Sequence, residues 1–401
     1  MKSATRQGGR NFVSSYPTFL TYWVVRLLAG LSYQMFTVVV GWRIYDETGS
    51  VLALGGIGLT QFLPAVLLVL PAGHVVDRFD RRMVLVVCQL AIGLCMVSLA
   101  TGGALVSGSG YAMGALVAFC LIGTFKAFEF PAMQAILPTL VPVSEHGRAA
   151  AIAASASEIA IVAGPVAGGL LYSLGSTVAG GVAAFLYFLA GASTLMLKRT
   201  APSLASESPS LQGLLGGFRF LRHSRLVWNV LSLDLIAILF GSVTSLLPVY
   251  AHEILLAGPV GLGCLRAAPA LGAAATLCWL SYRPIEGDRY RIFCVSVFCY
   301  GIAVALFAVS SWLWLSLVFL AFVGAFEAVT VVIRTSLIQF DTPDQIRGRV
   351  GAVNSVFINA AAQLGQFESG LLASWAGARA AAALGGLIAS IAAFLWERRG
   401  R

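Results

Sequence analysis

Charge is the scarcest feature of this 401-residue chain. Only 11% of its residues are charged, whereas 58% are hydrophobic. A soluble domain carries about 25% charged residues, so this chain has too little charge to cover a water-facing surface. Most of it consists instead of apolar runs of about 20 residues, the length that crosses a bilayer. We therefore predict an all-α polytopic membrane protein with the lipid bilayer as its solvent.

Cysteine motifs and histidine clusters are also missing. All seven cysteines fall inside apolar runs, no C-x-x-C occurs, and the four histidines are scattered. This inventory predicts no disulfide framework, no metal site and no cofactor. The sequence shows no nucleophile–base set at membrane depth, so we do not expect an enzyme. No basic patch is interleaved with aromatic residues, so we expect no nucleic-acid partner.

Polar and Gly/Pro-rich breaks divide the apolar sequence into twelve predicted membrane spans. They cover roughly 17–42, 51–73, 83–104, 111–137, 148–173, 177–197, 225–250, 260–281, 291–309, 311–338, 348–374 and 378–396. The longest polar break, Lys198 to Ser224, leaves six spans on each side. The predicted organisation is an N-terminal six-helix bundle (1–197), a cytoplasmic linker (198–224) and a C-terminal six-helix bundle (225–401).

Lysine and arginine are distributed very unequally between the two sides of these spans. Twenty lie in loops on the side of the N-terminus, and two, Arg43 and Arg379, lie in loops on the other side. Cytoplasmic loops carry the excess of such residues. We therefore predict that both termini are cytoplasmic.

An internal repeat at an offset of 201 residues relates the two halves. Its matching pairs are Gly123 and Gly324, Phe125 and Phe326, Ala127 and Ala328, Pro142 and Pro343, Gly147 and Gly348, and Arg148 and Arg349. Spans four and five therefore correspond to spans ten and eleven. Two similar six-helix halves are typical of a transporter built from repeats.

Charged residues inside the spans are costly and usually functional. They are Arg26, Lys126, Glu129, Glu158, Asp234, Arg266, Glu327, Arg334 and Glu368. Spans three, six, nine and twelve carry none in their interiors. This partition predicts that every third helix faces lipid and that the other helices line a polar interior.

Arg26 shares a helical stripe with Gly30, Tyr33 and Thr37. The spacing leaves two interpretations open: an anion site in a cavity, or a structural tether between Arg26 and a nearby acid.

Lys126 and Glu129 stand at positions i and i+3, where they can pair on one helix face. Under the repeat, Lys126 corresponds to Glu327. Opposite charges at equivalent positions could meet across a central cavity as an alternating or proton-linked pair. Simple local neutralisation of Lys126 by Glu129 is the alternative.

Glu158 and Asp234 are the leading proton-carrier candidates, because low dielectric favours the protonated carboxyl. Each could equally be a hydrogen-bonded structural acid. Arg334 is the interior cation of span ten and belongs to the same set of candidates.

Span eleven presents a polar face along its length. Its members are Ser355, Asn359, Gln363 and Gln366, at successive steps of three or four residues. The amides could bind polar groups of a substrate, or they could join helices.

The stretch from Gly73 to Arg82 is the densest polar segment of the first hundred residues. Asp77 lies at the C-terminal end of its own helix, where the helix dipole disfavours a carboxylate. It therefore needs an outside partner, either an arginine or the N-terminal end of another helix. Span eleven begins on the same membrane face, at Gly348 and Arg349.

The run Gly164-Pro165-Val166-Ala167-Gly168-Gly169 is a second specific signal. Its G-x-x-x-G spacing allows close helix contact, and Pro165 can kink the span.

These two motifs resemble those of the major facilitator superfamily. Gly73, Asp77, Arg78, Arg81 and Arg82 match its motif A, Gly-x-x-x-Asp-Arg-x-Gly-Arg-Arg/Lys, with Asp80 in place of the usual glycine. Asp80 can preserve the turn and cap the next helix. The run from Gly164 to Gly169 resembles motif C of the proton-coupled antiporters. More narrowly, Leu211 to Leu226 and Pro343 to Asn354 resemble the enterobactin-exporter type of drug and siderophore exporters.

The resemblance implies a monomeric protein of the bacterial inner membrane whose two six-helix bundles rock about a central site. It implies export of an amphipathic small molecule, a siderophore or a drug, in exchange for protons. An importer of a ferric siderophore or other nutrient, and a lysophospholipid transporter, are the alternatives. The contact between Asp77 and the start of span eleven would then act as a gate. The substrate is expected in a cavity lined by spans one, four, seven and ten.

Overall fold

The computed structural model describes residues 16–102, 106–199, 219, 221–222, 224–343 and 346–399. These ranges are predominantly helical and contain no β-strand. Helices of eight or more residues are numbered so that each number matches a predicted span. They are α1 (Pro17–Thr48), α2a (Val51–Leu67), α2b (Val69–Arg78), α3 (Arg81–Gly102), α4 (Ser109–Ile136), α5 (His146–Tyr172), α6 (Ser176–Thr194), α7 (Arg225–Gly241), α8 (Gly258–Tyr282), α9 (Arg289–Val309), α10 (Leu313–Asp341), α11 (Arg347–Ala376) and α12 (Ala378–Arg399).

Local chemistry fixes several helix ends. α1 ends at Gly49, which adopts a left-handed conformation (φ 61°) that costs glycine little. Ser50 then caps α2a by accepting a hydrogen bond from the Ala53 backbone N–H. The Asp288 carboxylate caps α9 in the same way, accepting from the backbone N–H groups of the second and third residues after it.

The second predicted span, 51–73, is formed by two helices. α2a and α2b are bent by 55° at Leu68. Pro71 explains the break, because it has no N–H to donate to the Leu67 carbonyl and its ring crowds that group. α2b then continues to Arg78, so only Phe79 and Asp80 connect it to α3.

Nine of the described helices are long and apolar enough to cross a membrane, or ten if the bent pair α2a and α2b forms one span. α7 contains a shorter apolar stretch, Leu226–Gly241, and α11 is a 30-residue helix with the predicted polar face. These two helices lie at the positions of predicted spans seven and eleven. Large side chains such as Leu94 of α3 and Phe185 of α6 are 62% and 63% exposed, as lipid-facing residues would be. Most of the predicted 198–224 linker lies outside the described residues.

The helices pack in two groups, α1–α6 and α7–α12, which meet mainly along two helix pairs. α5 packs against α8, and α2a packs against α11. Both contacts lie at the end of the molecule where α1 ends and α2a begins, which we call the sealed end. The opposite end carries Arg78, Arg81 and Arg82, and we call it the basic end.

Glycines allow the two contacts at the sealed end. A Cβ at Gly169 of α5 would clash with the Pro259 carbonyl of α8, and a Cβ at Gly370 of α11 would lie 3.0 Å from the Cα of Gly55. Gly169 and Gly370 are 201 residues apart, which is the offset of the sequence repeat. The two contacts are therefore equivalent under that repeat.

Polar side chains also join the halves at the sealed end. Tyr45 donates a 2.6 Å hydrogen bond to Glu253, and His252 Nε2 lies 3.1 Å from Asp46 Oδ1. Tyr45 and Asp46 belong to the last turn of α1, whereas His252 and Glu253 belong to a π-helical turn before α8. The sealed end thus combines backbone packing with side-chain contacts.

Candidate functional site

A cavity of about 580 Å³ lies between the two groups of helices. Small-molecule pockets typically have volumes of roughly 300–1,000 Å³. Its polar side chains are Tyr33, Gln34, Thr37, Gln61, Glu158, Thr244, Ser245, Arg266, Glu327, Gln363 and Gln366. Apolar side chains such as Phe119, Ile161 and Leu247 form the rest of its wall.

The lining comes from α1, α2a, α4, α5, α8, α10, α11 and the segment 243–248 after α7. In the part of the chain that the structure describes, α3, α6, α9 and α12 contribute nothing to it. None of these four helices carries an interior charge, as the charge partition predicted. α2a also lacks an interior charge but does line the cavity, so the second span is an exception to the partition. The narrower expectation of spans one, four, seven and ten was incomplete. All four contribute to the lining, but α2a, α5, α8 and α11 line the cavity as well.

Arg266 of α8 is the single cation among the described lining residues. Its Nη1 donates a 2.7 Å hydrogen bond to Thr37 Oγ1 of α1, which joins the two halves. Its Nε is buried and has no hydrogen-bond partner among the described residues. No described carboxylate lies within ion-pair distance of Arg266, so its charge is not neutralised locally.

Glu158 of α5 and Glu327 of α10 line the cavity from different halves. Neither makes a hydrogen bond or an ion pair through its side chain with any other described residue. Both carboxyl groups are therefore available to a ligand or to protons.

Lys126 and Glu129 form the ion pair predicted from their spacing, with Lys126 Nζ 2.7 Å from Glu129 Oε2. Glu129 is buried, and Tyr187 of α6 donates to its Oε2 at 2.8 Å. In this structure Lys126 is thus paired locally. It makes no ion pair with Glu327.

Tyr33 connects this pair to the cavity. The ammonium of Lys126 lies 4.8 Å from the centre of the Tyr33 ring, within the range of a cation–π interaction. The Tyr33 hydroxyl donates a 2.7 Å hydrogen bond to Gln61 Oε1 of α2a. Tyr33 and Gln61 both line the cavity, so the Lys126–Glu129 ion pair lies one side chain away from it.

Asp234 of α7 and Arg334 of α10 form a buried ion pair inside the second half. Neither residue lines the cavity. The structure therefore brings these two candidates together and separates them from Glu158 and Glu327.

Arg26 matches neither of its two predicted roles. Its Nε donates a 2.8 Å hydrogen bond to Ser157 of α5, and its Nη1 donates to the Tyr22 hydroxyl at 3.3 Å. It is not part of the cavity lining, and among the described residues it pairs with no acid. It joins α1 to α5 through neutral groups.

Only part of the polar face of α11 lines the cavity. Gln363 and Gln366 line the cavity. Asn359 donates a 2.7 Å hydrogen bond to the Ser355 backbone carbonyl and stays outside the lining.

Two arginines of the basic motif donate hydrogen bonds to backbone carbonyl groups near the ends of other helices in the first half. Arg81 donates to the Ala135 carbonyl at 3.4 Å, near the end of α4, and Arg82 donates to the Leu197 carbonyl at 3.0 Å, just after α6. The Asp80 carboxylate accepts from the Arg82 backbone N–H at 3.0 Å, which confirms the predicted cap of α3.

Gly73 lies within α2b, and Asp77 and Arg78 lie at its end, where their side chains make no hydrogen bond with another described residue. α2b packs mainly on α4 of its own half. The predicted partners of Asp77, Gly348 and Arg349, belong to the first turn of α11, and their side chains lie outside the described residues.

The glycine motif of α5 faces two helices at once. A Cβ at Gly164 would lie 2.6 Å from Gln34 Cβ, and one at Gly168 would lie 2.8 Å from the Met35 carbonyl oxygen of α1. Gly169 faces α8, as described for the sealed end. The motif therefore allows α5 to pack tightly against α1 and α8.

Five polar lining residues were absent from the predicted site: Gln34, Gln61, Thr244, Ser245 and Arg266. Arg266 was recognised as an interior charge, but that signal does not distinguish it from Arg26, which lies outside the lining. The two glutamines had no comparable signal, because a single amide in a span is common between packed helices.

Two groups of long apolar helices that enclose a cavity with charged lining side chains are typical of a membrane transport protein. The chain belongs to the transmembrane secretion effector family of the major facilitator superfamily, which matches residues 14–399. It is a multi-pass protein of the inner membrane.

Two similar relatives are named enterobactin exporters. The EntS protein of Shigella boydii serotype 4 (strain Sb227) is 26% identical over 349 residues, which cover 86% of this chain and 82% of that protein. EntS of Escherichia coli O1:K1 / APEC is 26% identical over 352 residues, with the same coverage.

Solved transporter structures share the fold. A bacterial homologue of the human lysosomal transporter Spinster, inward-facing and occupied, has a TM-score of 0.76 at 13% identity and covers 97% of this chain and 98% of its own. The nucleoside transporter NupG has a TM-score of 0.71 at 13% identity, with coverages of 95% and 98%.

Proposed function

We propose that this chain exports an amphipathic small molecule of siderophore type by alternating access, in exchange for protons. The observation that supports this most is the cavity between the halves, closed at one end by contacts between glycine-bearing helices. The family description and the names of the relatives favour export over import. Enterobactin is therefore the first substrate to test.

The basic end is the cytoplasmic end in this proposal, because loops rich in Lys and Arg remain in the cytoplasm. Both termini are then cytoplasmic, and the sealed end faces the periplasm. With this orientation the closed end is periplasmic, so we assign an inward-facing state in which substrate enters from the cytoplasm.

Export then requires the two glycine contacts to open while the basic end closes. In the closed basic end, Asp77 of α2b meets the N-terminal end of α11 near Gly348 and Arg349, where the helix dipole favours a carboxylate. The packing of α2b on α4 in this structure fits a latch that is open. The gate residues thus act on the cycle and do not touch substrate.

Protons are carried by the free carboxyl groups of the cavity, Glu158 and Glu327. Neither acid has a partner among the described residues, so each can gain a proton without breaking an ion pair. Lys126 is released from Glu129 and meets Glu327 when the halves move. Charge reversal at both Lys126 and Glu327 should then restore activity that each single reversal removes.

The lining fits an amphipathic molecule. Amides and hydroxyls on α1, α2a and α11 can bind neutral polar groups, and Arg266 supplies a positive charge. Phe119, Ile161 and Leu247 supply apolar surface.

Transport into inside-out membrane vesicles tests this function. Vesicles that contain the chain, with an acidified lumen, should accumulate enterobactin faster than vesicles that lack it. Dissipating the pH gradient should remove the difference. Equal uptake by both preparations would contradict export of this substrate, and gradient-dependent uptake only by right-side-out vesicles would establish import.

A further inference from the structure

We propose that Arg266 forms a subsite for an anionic oxygen group of the bound molecule, such as a carboxylate or a phenolate. The proposal rests on the proposed function in one respect: it takes the bound molecule to be the transported one. Binding itself requires no transport cycle and can be measured separately.

An incomplete set of hydrogen bonds is the first support. A guanidinium has five N–H donors, and the Nε of Arg266 is buried without a partner among the described residues. Burying an unpaired charged donor is costly. The Nη2 of Arg266 makes no hydrogen bond with a described residue and, unlike Nε, is not closed off from the cavity. An acceptor oxygen delivered by a ligand could bind there and offset the charge of the guanidinium, whereas a purely apolar ligand could not.

The local charge balance is the second support. Arg266 lines the cavity, and its one described side-chain partner is the neutral hydroxyl of Thr37. Glu158 and Glu327 line the same cavity but lie beyond ion-pair distance of Arg266. The positive charge is therefore open to a ligand anion, while the two acids remain free for protons.

Rigid placement of the helix is the third support. One turn before Arg266, Gly263 packs against the Pro165 carbonyl of α5 in the other half. One turn after it, the Pro269 carbonyl packs against Gly324 of α10. Both contacts are too close to admit a Cβ, so the backbone that carries Arg266 is held from both sides. A site fixed in this way binds with little reorganisation.

The experiment uses the full-length protein in lipid nanodiscs and two probes of nearly equal shape, 2-naphthoate and neutral 2-naphthamide. Calorimetric titration should show tighter binding of naphthoate by the wild type. Arg266→Gln should weaken naphthoate binding by about 10- to 100-fold, the range of a charge-assisted hydrogen bond, and leave naphthamide binding unchanged.

Two further variants separate recognition from structure. Thr37→Val removes the hydroxyl that Arg266 binds but keeps the guanidinium, so it should keep the preference for naphthoate. Arg266→Lys keeps the charge without the planar donors and should retain part of the preference. If Arg266→Gln fails to fold, as judged by gel filtration, the comparison of Arg266→Lys with the wild type decides the question.

The proposal is overturned if the wild type binds both probes equally, if it binds neither, or if the Arg266 variants weaken both probes to the same extent. The last result would make Arg266 a structural link to Thr37. Failure of enterobactin export together with an intact naphthoate preference would remove the proposed function and leave this subsite standing.

Discussion

Replacing one member of the Asp234–Arg334 pair should destabilise the second half without acting on the cavity directly. The two side chains are 4% and 7% exposed and join α7 to α10. Neither belongs to the cavity lining. We therefore expect this pair to hold helices together, and we do not expect it to carry protons.

The size of the effect follows from what each substitution leaves behind. Arg334→Met leaves the carboxylate of Asp234 buried without a partner. Asp234→Leu leaves the guanidinium of Arg334 in the same state. Losing one partner of a buried ion pair costs about 3–5 kcal/mol of stability. The double variant leaves no buried charge. It loses only an interhelical contact, and polar contacts between membrane helices average about 0.6 kcal/mol. The double variant should therefore be more stable than either single variant.

The assay is unfolding by SDS in mixed micelles, followed by the helical circular dichroism signal. A double-mutant cycle over the four proteins gives the coupling between the two sites. Asp46→Asn is the matched control, because the Asp46 side chain is 49% exposed in its pair with His252. An exposed pair is worth about 0–1 kcal/mol, so this variant should unfold like the wild type.

Two results would refute this reasoning. Single variants as stable as the wild type would show that the pair contributes nothing to the fold. A double variant that is stable and exchanges substrate, but no longer responds to a pH gradient, would show that Asp234 carries the proton.

Three other predictions concern the gate, the seal and the coupling. Asp77→Asn should give a folded protein with impaired cycling in the vesicle assay; normal transport would exclude the latch. Gly169→Leu should force the neighbouring α8 backbone away and widen spin-label distances across the sealed end, whereas Gly147→Leu, which meets open space, should leave them unchanged. Glu158→Gln and Glu327→Gln should each weaken gradient-driven uptake but preserve substrate counterflow, and a normal gradient response in both would contradict their role as proton carriers.

Much of the architecture could be predicted from the sequence, because it depends on the length and charge of individual segments. Apolar length predicted the helices, and the lack of interior charge in α3, α6, α9 and α12 agreed with their absence from the described cavity lining. The repeat also has a structural counterpart. A Cβ at Gly123 would clash with the Gln61 carbonyl of α2a, and one at the equivalent Gly324 would clash with the Pro269 carbonyl of α8.

The site was harder to predict because its contacts depend on how helices are rotated against each other. Arg26 and Arg266 look alike in sequence, since each is an isolated cation in an apolar span. Only the packing of α1 on α5 turns Arg26 toward Ser157, and only the meeting of α8 with α1 brings Arg266 to the cavity beside Thr37. The break of the second span had a visible cause in Pro71, but a proline can also kink a helix without ending it.

The central claim is that this protein moves a small molecule out of the cell, and metabolite analysis tests it most directly. The small molecules in spent medium and in cell extracts should be compared between a deletion strain, its parent and the complemented deletion. We expect one amphipathic compound to disappear from the medium of the deletion strain, to accumulate inside its cells, and to return to the medium on complementation. Identical profiles in all three strains, or a medium component depleted by the parent alone, would contradict export.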